Sequence, residues 1–182
     1  QNLLREGIPG KRVYVTGNPI FEVIKHNTEK IQQSKILEEL GLMQGSYFLV
    51  TLHRAENTDD PVRLKQVVDA LNTIHADHYQ VILPLHPRTS SAIKDAGLKL
   101  NVCTLPPLGY LEMLWLLQNS GLVLTDSGGV QKEAFFFGKP CVTMRDQTEW
   151  VELLEIGANV LVGADSQLII REVNSNFGQS VD

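Results

Sequence analysis

The stretch that decides the fold joins an apolar strand to a glycine turn and a helix, and it reads Leu122-Val123-Leu124-Thr125-Asp126-Ser127-Gly128-Gly129-Val130-Gln131-Lys132-Glu133. Residues 122–125 are apolar or β-branched, as in a strand that is buried on both faces. Two glycines then allow a tight turn, and residues 130–137 are predicted to form a helix. A strand followed directly by a turn and a helix is the repeating unit of a parallel sheet.

Short strands and helices alternate in the same way over residues 47–162. Continuous apolar runs of strand length predict the strands, and apolar residues at helical spacing predict the helices. Buried strands joined by helices predict an α/β protein with a Rossmann-like, doubly wound parallel sheet. The predicted strands are residues 47–52, 81–83, 102–105, 122–125, 141–144 and 160–162. One predicted helix begins after Asp60, and the others cover residues 90–96, 110–117, 130–137 and 151–156.

Residues 1–46 have a different pattern. A short strand is predicted at residues 12–16, a turn at Gly17-Asn18-Pro19, and a polar helical stretch at residues 20–40. We therefore expect an entry segment, residues 1–46, that packs on a Rossmann-like domain, residues 47–182. The first residues resemble the interior of a longer protein, so we expect the chain to be part of one.

Composition and charge argue against several classes of function. With 16 Lys and Arg against 21 Asp and Glu, the net charge is −5, whereas proteins that bind nucleic acid or anionic membranes present basic surfaces. No apolar run approaches the roughly 18 residues of a membrane helix. Cys103 and Cys141 lie in apolar runs, which indicates buried thiols in a reducing, cytoplasmic compartment. Metal-ligand spacing and the glycine motifs of NAD and ATP sites are absent from the sequence, so we expect no metal and no cofactor.

The turn at residues 127–129 is a candidate phosphate site, because ligands bind beyond the carboxyl ends of parallel strands. The N–H groups at the start of the helix favour a phosphate, and Gly128 and Gly129 let it approach the backbone closely. Glu133, one turn into the helix, can accept hydrogen bonds from a ribose diol. The alternative is a plain turn in which Asp126 or Ser127 only caps the helix.

A polar cluster follows the first strand, and it reads His53-Arg54-Ala55-Glu56-Asn57. Burying these residues unpaired is costly, so they face either a ligand or one another. Histidine can bind a phosphate oxygen or move a proton, and arginine can bind a phosphate through two N–H groups. The alternative is an internal Arg54–Glu56 pair, with His53 as a capping residue.

Two further junctions carry polar or aromatic residues. Pro84-Leu85-His86-Pro87-Arg88-Thr89 forms a rigid loop that either faces a ligand or only shapes the chain. Trp150, after the predicted strand 141–144, either covers a ligand or packs against the helix that follows. The residues by themselves thus indicate a phosphate-containing ligand at one edge of the sheet. Sugar nucleotides fit this site, but the residues do not select them.

The junctions form an ordered set: Val15-Thr16-Gly17-Asn18-Pro19, Thr51-Leu52-His53-Arg54-Ala55-Glu56-Asn57, Pro84-Leu85-His86-Pro87-Arg88-Thr89, Pro107-Leu108-Gly109-Tyr110-Leu111, Asp126-Ser127-Gly128-Gly129-Val130-Gln131-Lys132-Glu133 and Arg145-Asp146-Gln147-Thr148-Glu149. In order and spacing this set resembles the non-hydrolysing UDP-N-acetylglucosamine 2-epimerases, over about residues 5–164. The resemblance implies the second domain of a two-domain fold like that of the GT-B glycosyltransferases, with the active site in the cleft between the domains.

The resemblance implies that the turn at the start of the helix binds the diphosphate of a UDP-sugar. Ser127, Gly128 and Gly129 would hold it through their backbone N–H groups. Glu133 would bind the ribose hydroxyls.

The resemblance also assigns residues to the base, the sugar and the cleft. Leu108 and Met113 would contact the uracil, and His53 would lie at the diphosphate and sugar as the candidate catalytic residue. Arg54 and His86 would lie near the cleft, where some bacterial members bind a second, activating substrate molecule. We place Arg54 in the substrate site and His86 in the possible activating site.

The implied reaction inverts C2 of UDP-N-acetylglucosamine to give UDP-N-acetylmannosamine. It proceeds by anti elimination of UDP to a 2-acetamidoglucal and re-addition, without a metal or nicotinamide. A homodimeric, cytoplasmic enzyme of cell-surface polysaccharide synthesis is implied as well. In the family the carboxylates that move the C2 proton lie mainly on the first domain, which this chain does not contain. We therefore expect the chain by itself to bind UDP weakly and to turn nothing over.

One residue departs from the family pattern. Many members have Arg in a Thr-Glu-Arg-Pro-Glu segment, where this chain has Thr148-Glu149-Trp150-Val151-Glu152. Because Trp150 cannot supply the charge, a different sugar is an open alternative, for example a diacetamido uronic acid on UDP. Two other classes also stay open: the donor domain of a GT-B glycosyltransferase and a non-catalytic nucleotide-sensing module. Residues 174–178 resemble the turn before the family's last helix, which we expect to be missing.

Overall fold

Within the residues that the computed structural model describes, 2–14, 16–77, 79–179 and 181, six parallel strands form one sheet. The predicted Rossmann-like α/β class is confirmed, and each end of the six strands predicted in residues 47–162 lies within one residue of the observed end. The strands are β1 (Tyr47–Thr51), β2 (Gln80–Pro84), β3 (Cys103–Leu105), β4 (Leu122–Thr125), β5 (Cys141–Thr143) and β6 (Asn159–Leu161).

The order of the strands creates a crevice beside β1. Across the sheet the order is β3-β2-β1-β4-β5-β6, so the direction of strand addition reverses between β1 and β4. These two strands pair in register along their length, from Phe48 with Leu122 to Thr51 with Thr125. The connections that leave β1 and β4 cover opposite faces of the sheet, which opens a crevice between them at the carboxyl edge.

Helices cover both faces of the sheet. Phe48 and Val50 point to the face that packs against α6 (Pro61–Ala76) and α11 (Ser166–Asn176). Tyr47 and Leu49 point to the face covered by α4 (Ile36–Leu40), α8 (Tyr110–Asn119) and α9 (Gly128–Phe136). In the described residues the helices are α1 (Asn2–Arg5), α2 (Pro19–His26), α3 (Thr28–Gln32), α4 (Ile36–Leu40), α5 (Ala55–Thr58), α6 (Pro61–Ala76), α7 (Pro87–Asp95), α8 (Tyr110–Asn119), α9 (Gly128–Phe136), α10 (Val151–Glu155) and α11 (Ser166–Asn176).

The predictions for the N-terminal segment were wrong in two places. Of residues 12–16, Arg12 ends a 3-10 turn, the other described residues are in no strand, and Val15 lies outside the described residues. Tyr14 is 79% exposed and not paired with either edge of the sheet, and a strand requires such a partner for its backbone groups. The predicted helical stretch 20–40 is divided into α2, α3 and α4. The side chain of Asn27 ends α2 by donating to the Val23 carbonyl at 2.8 Å.

The segment before β1 contacts the outer helices. Ile24 of α2 and Ile31 of α3 are buried in one cluster with Leu114 of α8. This contact agrees with a segment that packs on the domain, but the division of the chain at residue 46 stays a prediction.

Three helices of the described residues were not predicted, α1, α5 and α11. The start of α11 has a recognisable signal, because the Asp165 side chain accepts a hydrogen bond from the Leu168 N–H at 2.8 Å. Ile169 and Val173 of α11 are fully buried against the sheet. The turn predicted at residues 174–178 begins too early, since Asn176 is the last residue of α11.

Candidate functional site

The crevice between β1 and β4 is shaped by the carboxylate of Asp126, which is fully buried. It accepts hydrogen bonds from the backbone N–H of His53 at 3.0 Å, from that of Arg54 at 2.9 Å, and from Asn57 Nδ2 at 3.3 Å. The ring nitrogen Nδ1 of His53 lies 3.6 Å from Asp126 Oδ1. The end of β4 therefore holds the loop after β1 in place. The sequence interpretation treated Asp126 only as a possible helix cap and missed this role.

The N-terminus of α9 opens into the same crevice. The helix begins at Gly128, earlier than the predicted residue 130, and Ser127 is its N-cap, with Oγ accepting from the Val130 N–H at 3.5 Å. The N–H groups of the first helical residues, Gly128 and Gly129, have no acceptor within an α-helix. They offer the backbone donors and the positive helix end that an anion requires. The capping alternative is thus realised by Ser127, and it leaves these donors available.

Glu133 lies on the side of α9 that faces α8. Its Oε1 accepts a hydrogen bond from the Tyr110 hydroxyl at 2.9 Å. Burial raises the pKa of Glu133 above its ordinary value of 4.5, and the hydrogen bond from Tyr110 and the charge of Lys132 oppose this rise. Burial and the charge of Glu133 also raise the pKa of Tyr110. Tyr110 is 46% exposed, and its hydroxyl is bound to Glu133.

A cavity of about 250 Å³ lies beside the first turn of α9 and is bordered by Val130. It brings together four of the predicted site residues, which come from different loops and helices: His53, His86, Leu108 and Met113. A larger cavity of about 540 Å³ opens beyond β5 and β6, and none of the predicted site residues lines it.

Arg54 and His86, which the resemblance places near the cleft, occupy different positions. His86 is the N-cap of α7, with Nδ1 accepting from the Arg88 N–H at 3.2 Å, and it also borders the cavity of about 250 Å³. Arg54 is the N-cap residue of α5 and is not among the residues that line that cavity. Its backbone bond to Asp126 nevertheless keeps it at the mouth of the crevice.

A second charged cluster follows β5, and its centre is the buried Arg145. The Arg145 side chain is only 9% exposed, with Nη1 2.8 Å from Glu149 Oε2 and Nε 3.4 Å from Glu56 Oε1. Glu56 is therefore paired with Arg145, and not with Arg54 as the internal-pair alternative supposed. This cluster connects the loop after β5 to α5.

Trp150 packs against the first turn of α9. Its Nε1 donates to the Gly128 carbonyl at 2.9 Å, and the ammonium of Lys132 lies 3.8 Å from the centre of its ring. These contacts are with α9, which precedes Trp150 in the chain, whereas the packing alternative concerned the helix that follows; they lie next to the N-terminus of α9.

Other features of the described residues concern metals, membranes and thiols. In the described part of the chain, no group of three or more His, Cys, Asp or Glu residues is arranged to hold a metal ion. Among the helices of the described ranges, none is long and apolar enough to span a bilayer. Cys141 is fully buried, which raises the pKa of its thiol to about 12, whereas Cys103 is only half-buried.

Comparison with known proteins gives a consistent relationship. The family model for UDP-N-acetylglucosamine 2-epimerase matches residues 1–180. The chain is 64% identical over 181 residues to the UDP-2,3-diacetamido-2,3-dideoxy-D-glucuronate 2-epimerase of Pseudomonas aeruginosa, covering 99% of this chain and 50% of that protein. It is 41% identical to the UDP-N-acetylglucosamine 2-epimerase of Methanocaldococcus jannaschii, covering 94% of this chain and 50% of that protein. The chain thus spans about half the length of the curated relatives that it matches.

Solved structures show the same relationship. The crystal structure of the M. jannaschii UDP-GlcNAc 2-epimerase in complex with UDP-GlcNAc and UDP superimposes with a TM-score of 0.90 at 38% identity, covering 100% of this chain and 52% of that one. The Escherichia coli heptosyltransferase WaaC with ADP shares only the fold, with a TM-score of 0.53 at 12% identity over 72% of this chain and 44% of that one. These matches agree with one Rossmann-like half of a GT-B-like fold. The chain therefore belongs to the UDP-N-acetylglucosamine 2-epimerase family.

Proposed function

We propose that this chain is the nucleotide-binding half of a UDP-sugar 2-epimerase. One observation carries the proposal: the N-terminus of α9 opens beside a cavity bordered by His53, Leu108 and Met113, at the point where the strand order reverses. An anion-binding helix end next to a small, largely apolar cavity matches the two chemical parts of a nucleoside diphosphate.

Each part of the ligand is assigned to a group of residues. The diphosphate binds the N–H groups of Gly128 and Gly129 next to Ser127, whose own N–H already donates to Thr125 Oγ1 at 2.9 Å, and the ribose hydroxyls donate to Glu133. The uracil occupies the cavity of about 250 Å³ against Leu108 and Met113. Pockets that hold a whole ligand have volumes of about 300–1,000 Å³, so a slightly smaller cavity suits one part of the ligand. His86 is assigned to a possible activating site, as its place at the cavity rim allows.

The reaction proposed for the whole enzyme is elimination followed by re-addition. A base removes the proton from C2, the bond between C1 and the UDP oxygen breaks, and a C1–C2 double bond forms. Return of UDP to C1 and of a proton to the opposite face of C2 gives the epimer. The departing diphosphate gains negative charge, which the N–H groups of α9, His53 and Arg54 stabilise. The base is supplied by the half that this chain does not span, so we propose that the chain turns nothing over by itself.

For the sugar, we propose a UDP-diacetamido uronic acid. The relative with 64% identity is named for UDP-2,3-diacetamido-2,3-dideoxy-D-glucuronate, and Trp150 stands where many family members have arginine. The second candidate is UDP-N-acetylglucosamine, the leading expectation from the sequence, which the family model and the relative with 41% identity name.

Assembly and location are proposals of the same kind. We propose that the whole enzyme is a cytoplasmic homodimer. Free thiols at Cys103 and Cys141 suit a reducing compartment, and light scattering of the whole enzyme measures its mass directly.

Binding by the chain tests the nucleotide site. Titration with UDP, followed by NMR because weak binding is expected, should show binding that Glu133→Ala and Ser127→Tyr each weaken at least about tenfold, since each removes or blocks a direct contact. Glu155→Ala is the matched control, because Glu155 is an exposed glutamate on α10 away from the crevice. UDP affinity that neither site variant changes would contradict the nucleotide-binding function.

Product analysis tests the reaction and the sugar. The whole enzyme is incubated with each UDP-sugar and no acceptor, in deuterium oxide. An epimer carrying deuterium at C2 from the diacetamido uronic acid, formed faster than from UDP-N-acetylglucosamine, is expected. A product that forms only when an acceptor is added would instead indicate a glycosyltransferase.

A further inference from the structure

The carboxylate of Glu149 lies against the first residue of α9. A Cβ built on Gly128 would collide with Glu149 Oε1 and would lie only 3.1 Å from its Cδ. Glu149 belongs to the loop between β5 and α10 and is exposed, so it reaches the helix end from outside the helix. The carboxylate thus lies beside the first residue of α9, next to the positive end of that helix.

The same carboxylate is bound on its other side by Arg145. Its Oε2 lies 2.8 Å from Arg145 Nη1. The Arg145 side chain is 9% exposed, and its Nε has no hydrogen-bond partner among the described residues, although Glu56 lies 3.4 Å away. A helix N-terminus and a guanidinium each bind phosphate, the first through backbone N–H groups and the second through a planar pair of donors. Here the carboxylate of Glu149 is bonded to the guanidinium and lies against Gly128.

Glu149 carries its charge at neutral pH. Desolvation acts to raise its pKa, but its own backbone N–H, the hydrogen bond and charge of Arg145, and the charge of Arg54 outweigh this and hold the pKa below its usual value of 4.5. The side chain is also 45% exposed, so it can rotate into solvent without breaking the core. Glu149 is therefore negatively charged and bonded to Arg145, and its side chain can rotate away from the helix end into solvent.

We propose that Glu149 occupies the position of a phosphoryl group, and that a nucleoside diphosphate binds by displacing it and taking over both the N-terminus of α9 and the guanidinium of Arg145. The inference rests on the proposed function, because it assigns the ligand's diphosphate to the same helix end. It adds two residues to the site. Arg145 is a cation for the phosphate, and Glu149 lowers the affinity and restricts the site to ligands that can replace a carboxylate.

The test is the affinity for UDP, UMP and uridine of the wild-type chain and of Glu149→Gln, measured by NMR titration. Removing one negative charge at a partly exposed site should tighten UDP binding about three- to tenfold. The gain should be smaller for UMP and absent for uridine, which has no phosphate. Glu152→Gln is the matched control, since it makes the same change on an exposed glutamate three residues along, and it should leave all three affinities unchanged.

A second variant reports on Arg145. Arg145→Lys keeps the charge but loses the planar pair of donors, so UDP binding should weaken several-fold while uridine binding stays the same. A thermal melt establishes that this variant is folded, and Glu149→Gln tests the proposal independently of it.

The outcomes separate the two proposals. If Ser127→Tyr and Glu133→Ala weaken UDP binding but Glu149→Gln leaves it unchanged or weakens it, Glu149 is a supporting residue and the inference is wrong. If wild type shows no UDP binding, the proposed function and this inference fall together.

Discussion

Replacing Asp126 by alanine tests how the crevice is held together. The carboxylate is fully buried and accepts hydrogen bonds from the His53 N–H, the Arg54 N–H and Asn57 Nδ2, at 2.9–3.3 Å. These donors lie about seventy residues earlier in the chain. Removing the acceptor leaves the backbone N–H groups of His53 and Arg54 without this partner, whereas Asn57 Nδ2 keeps its bond to the Met144 carbonyl at 2.9 Å.

The magnitude follows from the number of donors and their exposure. A hydrogen bond to a charged group contributes about 1.5–3 kcal/mol, and donors at the mouth of a crevice recover part of this from water. We therefore expect Asp126→Ala to lower the free energy of unfolding by about 3–5 kcal/mol. Asp126→Asn keeps one acceptor oxygen and should cost about 1–2 kcal/mol.

Urea denaturation followed by circular dichroism measures this difference, and hydrogen exchange locates it. The amide protons of His53 and Arg54 should exchange faster in Asp126→Ala, because their acceptor is gone. Asp165→Ala is the control, since this exposed aspartate makes one capping hydrogen bond and should cost only about 1 kcal/mol. If Asp126→Ala costs no more than Asp165→Ala, the carboxylate does not hold the loop and the reasoning is refuted.

Three other predictions concern pH, packing and thiols. Because the pKa of Glu133 is raised in the folded protein, the wild-type free energy of unfolding should fall relative to Glu133→Gln as the pH rises above 4.5, and parallel pH curves for the two proteins would contradict the burial effect. Gly121→Ala places a Cβ 2.6 Å from a backbone carbonyl and a phenyl ring, so it should lower the free energy of unfolding by about 1–3 kcal/mol. Gly129→Ala is the control, because its Cβ would have its nearest neighbour 3.8 Å away and should change the stability little. Equal melting temperatures of the two variants would refute the clash. A thiol reagent at pH 8 should not modify Cys141 in the native protein, since burial raises the pKa of this thiol to about 12. If mass spectrometry finds Cys141 labelled as fast as Cys103, the Cys141 thiol is accessible and the reasoning is wrong.

The sequence by itself determined the class of the fold and the positions of the junctions. Apolar runs such as residues 122–125 are typical of a strand buried on both faces, and the turn at Ser127 leads directly into a helix, so the alternation of such runs with helical patterns predicted the parallel sheet. It failed at residues 12–16, where a β-rich pattern predicted a strand but the described residues 12–14 and 16 belong to no strand of the sheet. It also missed α11, although Asp165 marks the start of that helix.

Only the tertiary structure decided which charged groups meet. Asp126 bonds to the loop of His53, Glu56 pairs with Arg145, and Tyr110 bonds to Glu133, and each of these pairs is far apart in the chain. Local patterns report on neighbours within a turn or two, whereas these contacts follow from the pairing of β1 with β4 and of β4 with β5. The residue types at each strand end were readable from the sequence. Their partners depend on strand order and register, which bring the ends of distant strands to one edge.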